Sequence, residues 1–110
     1  MILKTMSEFV AVAEVDSLEP GTGRTVHVRG RDFALYNVDG EFFAVDDRCT
    51  HVGASLGAGF CDGATVHCPL HGWAFDVKTG ACKSNPRRPV KTYPTRVTNG
   101  WVEICIPAEP

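Results

Sequence analysis

FALYNVDGEFFAVDD, residues 33–47, consists of two short runs rich in apolar side chains on either side of Asp39-Gly40. An Asp-Gly pair between two such runs favours a two-residue hairpin turn, because both turn positions require a positive φ. These residues therefore predict an antiparallel hairpin. Its second arm ends just before Cys49, where the most informative part of the chain begins.

Short strands separated by turn residues are also predicted elsewhere. Residues 25–30 alternate in polarity, residues 64–68 and 72–82 have the character of hairpin arms, and residues 92–106 contain strands joined through Asn99-Gly100. Helical periodicity is poor, and only residues 12–18 are compatible with one helical turn. The predicted fold class is therefore all-β, with short antiparallel strands in stacked sheets or a small barrel.

Length, charge and hydropathy limit the classes of function. The chain has 110 residues, 44% of them hydrophobic, which fits one domain over residues 1–110. Its net charge of −2 disfavours nucleic acid and anionic membranes as partners. No apolar run approaches the roughly 18–20 residues of a membrane span. Residues 1–10 are also too short and mixed for a secretory signal.

The cysteine count bears on the compartment. The chain has five cysteines, whereas a disulfide framework prefers an even number. Together with the missing signal sequence, this predicts a cytoplasmic protein in a reducing environment. In that environment, closely spaced cysteine and histidine residues indicate metal binding more often than disulfides.

Two such pairs are present. Cys49 and His51 follow the second arm of the predicted hairpin, whereas Cys68 ends the next predicted strand and His71 follows it. Pro69 interrupts strand pairing after Cys68, and the glycine at position 72 allows a tight loop. Two ligand pairs at the tips of adjacent loops are able to converge on one metal group.

A single zinc ion and a diiron cluster are the two candidates for that group. Structural zinc sites usually place two or more residues between paired ligands, whereas only Thr50 separates Cys49 from His51. A diiron cluster fits better, because each iron needs two protein ligands beside its two bridging sulfides. A zinc or iron–sulfur interaction domain without a redox role stays open as the alternative.

The pattern Cys49-x-His51, sixteen intervening residues and Cys68-x-x-His71 resembles the signature of Rieske-type [2Fe–2S] proteins, with Gly53, Pro69 and Gly72 in place. The flanking strands also resemble small Rieske ferredoxins, so the likeness covers nearly the whole chain. It implies a Rieske-like fold of stacked antiparallel sheets, with a small cluster-binding part of two loops over about residues 47–84. It also implies one cluster per chain, with both cysteines on one iron and both histidines on the other.

Four positions distinguish this chain from high-potential Rieske proteins. Ala54 and Leu70 stand where that branch has two further cysteines joined as a disulfide, and Trp73 and Phe75 stand where it has hydroxyl donors. Fewer donors stabilise the reduced cluster less. The resemblance is therefore to low-potential Rieske ferredoxins, near the lower limit of about −150 mV.

The resemblance implies a soluble electron carrier that works between a reductase and a terminal oxygenase, such as a ring-hydroxylating dioxygenase. The alternative is the Rieske-like small subunit of an NAD(P)H-dependent nitrite reductase, bound to its large subunit. No catalytic triad, paired-carboxylate site or phosphate loop is apparent in the sequence. We therefore expect no active site, and we expect the free carrier to be a monomer.

The remaining candidate residues have structural explanations. Cys61, Cys82 and Cys105 are expected to be small buried hydrophobes. His67 is expected to be an ordinary strand histidine, and His27 a surface residue. Packing is the expected role of Trp73, Phe75 and Trp101. Arg87 and Arg88 are assigned to a solvated loop.

The docking surface is expected around the two ligand histidines, because electron transfer falls steeply with distance. A redox encounter buries a small interface, below about 1,200 Å². The expected apolar collar consists of Val52, Gly53, Pro69, Leu70 and Trp73.

Overall fold

The computed structural model describes residues 8–50, 53–70 and 72–107, which consist mainly of strands and turns. The strands in these residues are β1 (Glu8–Glu14), β2 (Gly23–Val28), β3 (Arg31–Val38), β4 (Glu41–Asp46), β5 (Phe60–Asp62), β6 (Thr65–His67), β7 (Ala74–Asp76), β8 (Thr92–Tyr93), β9 (Thr95–Thr98) and β10 (Trp101–Ile106). The only helical segments described are 3₁₀ turns over Val15–Ser17 and Leu56–Ala58. The predicted all-β class is confirmed.

The strands form three antiparallel sheets. The first sheet has the order β1-β10-β9, the second β2-β3-β4-β8, and the third β5-β6-β7. Most neighbours within a sheet are also neighbours in sequence, so short turns connect them. The exceptions are β1, which pairs with β10 and so joins the two ends of the described chain, and β8, which pairs with β4.

The strand β3 of the second sheet is buried on both faces. All six residues from Phe33 to Val38 in β3 are buried. Because successive side chains on a strand point to opposite faces, Phe33 and Leu35 pack on one side and Ala34 and Tyr36 on the other. The predicted hairpin of β3 and β4 is therefore the central layer of the fold.

Two cores lie on either side of this layer. One core joins β3 and β4 to the inward face of β10, which contributes Val102, Ile104 and Ile106. The other core joins the second sheet to the third, and its members include Cys49, Leu56, Val66, Cys68 and Phe75. Both cysteines of the predicted ligand set are thus part of a hydrophobic core.

The two predicted hairpin turns are confirmed. Asp39 and Gly40 have φ values of 54° and 91°, and Asn99 and Gly100 have φ values of 51° and 82°. Consecutive positive φ angles are what a two-residue type I′ turn requires. The arms predicted at residues 64–68 and 72–82 are present as the shorter strands β6 and β7.

Two strands were not predicted. In β1 the pairing register shifts between Ala11 and Ala13, and this irregularity interrupts the polar–apolar alternation that marks a strand. The helical turn expected over residues 12–18 is limited to Val15–Ser17, because the preceding residues belong to β1. The other missed strand, β5, has only three residues, too few to show a period.

We predict that Gly80→Ala destabilises the fold more than Gly21→Ala. Both glycines have a left-handed backbone, with φ values of +83° and +85°. A Cβ at Gly80 would lie 2.1 Å from the Val90 carbonyl oxygen, whereas a Cβ at Gly21 would meet no heavy atom within 4 Å. Gly21→Ala is the control and should lose about 1–2 kcal/mol of unfolding free energy from backbone strain. Gly80→Ala should lose about 3 kcal/mol or more, because the steric clash adds to that strain. Thermal unfolding followed by circular dichroism measures both, and equal losses would contradict the steric argument.

Candidate metal centre

Cys49 and Cys68 lie at the bases of two loops that leave the second and third sheets. Cys49 follows β4 after two further residues, and Cys68 comes directly after β6. Their exposed fractions are only 1% and 3%. The sequence predicts ligand pairs at loop tips, but the two cysteines are buried beneath the loops instead. Both thiols therefore lie in a dry environment that is fixed by core packing.

The two loops are closed by the same pair of main-chain hydrogen bonds. In each loop the cysteine N–H donates to a carbonyl five residues later, and the cysteine carbonyl accepts from the N–H four residues later. The first loop has Cys49 N–H to Ala54 O (2.8 Å) and Gly53 N–H to Cys49 O (2.8 Å). The second loop has Cys68 N–H to Trp73 O (2.8 Å) and Gly72 N–H to Cys68 O (2.9 Å). The loops thus present their cysteines in equivalent backbone settings.

A glycine closes each loop because the backbone there is left-handed. Gly53 has a φ of 75° and Gly72 a φ of 72°. A Cβ at Gly72 would meet no heavy atom within 4 Å, so space is not the constraint at that position. The requirement for a positive φ explains why both loops have glycine four residues after the cysteine.

His51 and His71, the two predicted imidazole ligands, lie outside the described residues, as does Val52 of the expected collar. Their assignment as ligands stays a prediction. Within the part of the chain that the structure describes, no three histidine, cysteine or carboxylate side chains form a metal-binding group.

The described members of the expected collar belong to the two loops, and most of them face solvent. Leu70 is 64% exposed, and Gly53 and Pro69 are also exposed. Trp73 is half-buried and packs against the core that contains both cysteines. The expected exposure is therefore confirmed for three of the four described members. A docking role for this surface stays a prediction.

The other cysteines differ in burial. Cys82 is 3% exposed and lies in the core, as predicted. The prediction of full burial is wrong for Cys61 and Cys105, which are half-buried because they lie on three-residue β5 and on the outer face of β10. Desolvation, with a smaller contribution from Asp62, raises the pKa of the Cys61 thiol. None of the five cysteines forms a disulfide.

The predictions for the two described histidines are confirmed. His67 ends β6 and is half-buried, with its ring centroid 6.0 Å from that of Phe60. His27 is exposed and hydrogen-bonds to Asp32 across β2 and β3.

Packing is confirmed for two of the three large aromatic residues. Phe75 is fully buried in the core, and Trp73 packs at the edge of that core. The prediction of a packing role is wrong for Trp101, which is 43% exposed. Its strand neighbour Val102 faces the core, so alternation turns Trp101 to the outer face of the first sheet.

Asp47 supports the first loop, although nothing in the sequence singled it out. It is buried, and its carboxylate accepts from the Thr25 hydroxyl (2.9 Å) and from the Gly57 N–H (2.8 Å). Its carbonyl accepts from the Leu56 N–H at 2.6 Å, and the Leu56 carbonyl in turn accepts from the Tyr36 hydroxyl at 2.8 Å. These contacts fix both ends of the first loop to the second sheet.

A second polar network lies at the end of β4. The Arg31 guanidinium donates to the Tyr93 hydroxyl at 2.8 Å, and that hydroxyl donates to the Asp46 carboxylate at 2.6 Å. Burial and the neighbouring Asp46 together raise the pKa of Tyr93 to about 12, although Arg31 acts in the opposite direction. The phenol is therefore neutral in the folded protein and is held as a donor to Asp46.

Comparison with known protein families and sequences gives a consistent result. Residues 8–94 match the family described as the Rieske [2Fe-2S] domain. A 3-phenylpropionate/cinnamic acid dioxygenase ferredoxin subunit from Photorhabdus laumondii is 45% identical, covering 89% of this chain and 94% of the relative. A naphthalene 1,2-dioxygenase ferredoxin component from Pseudomonas putida is 42% identical, covering 91% of this chain and 96% of the relative.

Solved structures share the fold over most of their length. The Sphingomonas yanoikuyae B1 ferredoxin has a TM-score of 0.83 at 41% identity, covering 91% of this chain and 100% of that one. A chain in an oxygenase–ferredoxin complex of carbazole 1,9a-dioxygenase has a TM-score of 0.84 at 36% identity, covering 93% and 96%. A Mycobacterium tuberculosis protein described as an NADH-dependent nitrite reductase small subunit has a TM-score of 0.85 at 30% identity, covering 94% and 99%.

The fold and the paired cysteine loops are thus those of a small iron–sulfur protein. The chain belongs to the Rieske [2Fe–2S] family, and its cofactor is one [2Fe–2S] cluster. The described residues fit this cofactor, because two buried thiols in equivalent loop settings suit a pair of ligands to one iron. Among the described helical segments, none is long and apolar enough to cross a membrane.

We predict that the stability of the protein falls between about pH 10 and pH 12, partly through Tyr93. The folded pKa of about 12 exceeds the ordinary value of 10.0, so only the unfolded chain loses this proton in that window. Tyr93→Phe should lower stability at pH 8 but weaken its pH dependence above pH 10. Denaturant unfolding at a series of pH values measures both effects. An unchanged alkaline slope in the variant would contradict this assignment.

Proposed function

We propose that this protein carries single electrons from a reductase to the terminal oxygenase of a ring-hydroxylating dioxygenase system. The observation that carries the proposal is the extent of the likeness to two dioxygenase ferredoxin components, which are matched over 94% and 96% of their own length. The likeness therefore extends to the whole carrier and is not confined to a cluster domain within a larger enzyme.

The proposed ligands are Cys49 and Cys68 for one iron and His51 and His71 for the other. Burial of the two cysteines supports the first pair, because it keeps water and competing thiols from the iron they share. The pattern of spacing supports the second pair. When bound, the cluster accepts one electron and returns it without other chemistry. The chain's own task is to hold the group, to exclude water on the thiolate side and to leave the imidazole side accessible.

The charge of this ligand set favours reduction. Two ferric ions, two sulfides and two thiolates give a neutral oxidised site, whereas four thiolates would give a charge of −2. An electron added to a neutral site meets less repulsion, so the potential exceeds that of plant-type ferredoxins. The second nitrogen of each imidazole would bind a proton more tightly after reduction, which couples the potential to pH.

The potential is proposed to lie at the low end of the Rieske range. At the position of one missing hydroxyl donor, Phe75 is fully buried and offers no polar group. At the position of one missing cysteine, Leu70 is exposed and apolar. Neither residue adds a hydrogen bond that would stabilise the reduced state.

Electrons are proposed to leave through the surface around Leu70. Its side chain is 64% exposed and belongs to the same loop as Cys68 and His71. An exposed large apolar side chain next to the cofactor is suited to a small, transient redox interface. The oxygenase would dock there, over the imidazole side of the cluster.

A second candidate function is that of a nitrite reductase small subunit, bound to a large catalytic subunit. The observation in its favour is the structural likeness to the Mycobacterium tuberculosis protein, with a TM-score of 0.85. Its identity of 30% is lower than the 45% and 42% of the dioxygenase ferredoxins. Gel filtration separates the two, because a free carrier elutes as a monomer at all concentrations.

The proposed role is not catalytic, since the cluster exchanges electrons only with protein partners. We also propose that one domain spans residues 1–110, with its cluster-binding part over about residues 47–84. We propose a reducing, cytoplasmic location, because a disulfide framework prefers an even number of cysteines and this chain has five.

We predict that Cys49→Ser and Cys68→Ser each abolish stable cluster binding, because serine is a poor substitute for a thiolate on iron. His51→Ala and His71→Ala should do the same. Cys105→Ser is the matched control, since this half-buried cysteine lies on β10 in the first sheet and is not part of the core around Cys49 and Cys68. Iron and acid-labile sulfide assays measure the cluster content of each variant. Full loading of Cys68→Ser, or loss of the cluster in Cys105→Ser, would refute the ligand set.

We predict that Leu70→Glu slows electron transfer to the oxygenase about tenfold, because it places a charge in an apolar interface. The cluster content and visible spectrum should not change. Val97→Glu is the matched control, since Val97 is also exposed (53%) but lies on β9 of the first sheet. Stopped-flow oxidation of the reduced carrier by a dioxygenase gives the rates. Equal rates for both variants would place the docking surface elsewhere.

A further inference from the structure

We propose that Arg88 positions the first cysteine loop through a reciprocal contact with Thr50, and that its charge favours the reduced cluster. Thr50 stands between Cys49 and His51, so the contact acts on the segment that joins two ligands. The inference rests on the ligand set proposed above. It goes beyond that set, because Arg88 is not a ligand and lies on a different loop.

The contact consists of two hydrogen bonds in opposite directions. The Thr50 hydroxyl donates to the Arg88 carbonyl at 2.8 Å, and the Arg88 Nη1 donates to the Thr50 carbonyl at 3.0 Å. Each residue therefore uses its side chain to hold the backbone of the other. Because both acceptors are main-chain carbonyls, the contact fixes the relative position of two backbone segments that are 38 residues apart in sequence.

The turn that presents Arg88 is internally bonded. The Arg88 N–H donates to the Asn85 carbonyl at 2.9 Å, and the Arg87 N–H donates to the Asn85 side-chain oxygen at 3.0 Å. Pro86 and Pro89 restrict φ on either side of the arginine pair. The turn is therefore ordered by its own contacts, and little further entropy is lost when Arg88 binds Thr50.

Both ends of this segment are also fixed to the fold. At one end the Asn85 N–H donates to the sulfur of buried Cys82 at 3.3 Å. At the other end Val90 is buried, and its N–H donates to the Gly80 carbonyl at 2.8 Å. Because this turn is fixed at both ends, its contact with Thr50 positions the first loop relative to the rest of the fold.

The positive charge of Arg88 makes a second contribution, separate from its contact with Thr50. Its guanidinium contributes one positive charge. The site with two thiolates is neutral when oxidised and carries a charge of −1 when reduced, so a fixed positive charge nearby stabilises the reduced state. Arg88 is exposed, and solvent screening makes this contribution modest. A variant that removes the guanidinium should lose both the hydrogen bond to Thr50 and the electrostatic stabilisation of the reduced cluster.

Arg87 provides a matched control within the same turn. It is adjacent in sequence, carries the same charge and is also exposed. Its main-chain N–H takes part in the turn, but its side chain makes no hydrogen bond or ion pair with the rest of the described chain. Arg87→Gln therefore removes one positive charge and leaves the contact with Thr50 in place.

The test compares Arg88→Gln with Arg87→Gln in the cluster-loaded protein by voltammetry and by the rate of cluster loss under a chelator. Relative to Arg87→Gln, the Arg88→Gln potential should be lower by a two- to fivefold change in the one-electron equilibrium, or about 20–40 mV at 59 mV per tenfold. Its cluster should also be lost several-fold faster. Equal potentials and equal rates in the two variants would overturn the proposal.

Three further variants separate position from charge. Arg88→Lys keeps the charge and should restore most of the potential, whereas a potential as low as that of Arg88→Gln would overturn the electrostatic part. Thr50→Val removes the hydroxyl donor and should speed cluster loss, while Thr50→Ser should not. Cluster loss at the wild-type rate in Thr50→Val would overturn the positioning part.

Failure of this proposal is distinguishable from failure of the ligand set. If the unmodified protein lacks the visible and electron-paramagnetic-resonance spectra of a Rieske cluster, the ligand set itself is wrong. If it shows them and the Arg88 and Arg87 variants behave alike, only the role of Arg88 is wrong.

Discussion

Burial of both faces of β3 is the constraint on which the rest of the structure depends. Six consecutive buried residues place this strand between two cores, and each large side chain contributes about 1.5–3 kcal/mol through burial. Because β4 is paired with β3 along its whole length, the end of β4 is fixed as firmly as the cores themselves. Cys49 follows that end closely and is buried in one of the two cores. The position of the first thiol is therefore a consequence of packing in the central layer.

Burial of the thiols costs less free energy with two thiolates in the ligand set than it would with four. A site with a net charge of −2 in a dry core would be costly, since desolvation of an uncompensated charge costs several kcal/mol. The proposed oxidised site is neutral, and reduction adds only a single negative charge. Placing Cys49 and Cys68 in the core is thus compatible with one-electron reduction of the proposed site.

The sequence was most informative where a local pattern has one physical meaning. Asp39-Gly40 and Asn99-Gly100 predicted their turns because few other dipeptides tolerate two positive φ angles. The spacing of cysteine and histidine favoured a diiron cluster over zinc, and the family followed from the resemblance of that pattern to the Rieske signature. The strand β1 was missed because its irregular register hides the alternation that would reveal it.

Contacts between distant residues could not be predicted from the sequence. Thr25 and Asp47 are 22 residues apart, and Thr50 and Arg88 are 38 residues apart. Nothing in the immediate sequence of Asp47 or Arg88 distinguishes these side chains from ordinary solvated charges. Their roles follow from the pairing of sheets and loops in three dimensions, which a local pattern does not encode.

The two cysteine loops also differ in what supports them. The second loop connects β6 to β7, and the pairing of His67 with Ala74 holds both of its ends. The first loop leaves β4 through irregular residues and returns to a 3₁₀ turn, with only an isolated bridge between Arg48 and Ser55. Strand pairing therefore fixes the second loop, whereas the first depends on polar side chains from other parts of the chain. Asp47 and the contact between Thr50 and Arg88 both lie at the first loop, so side-chain hydrogen bonds support that loop where strand pairing does not.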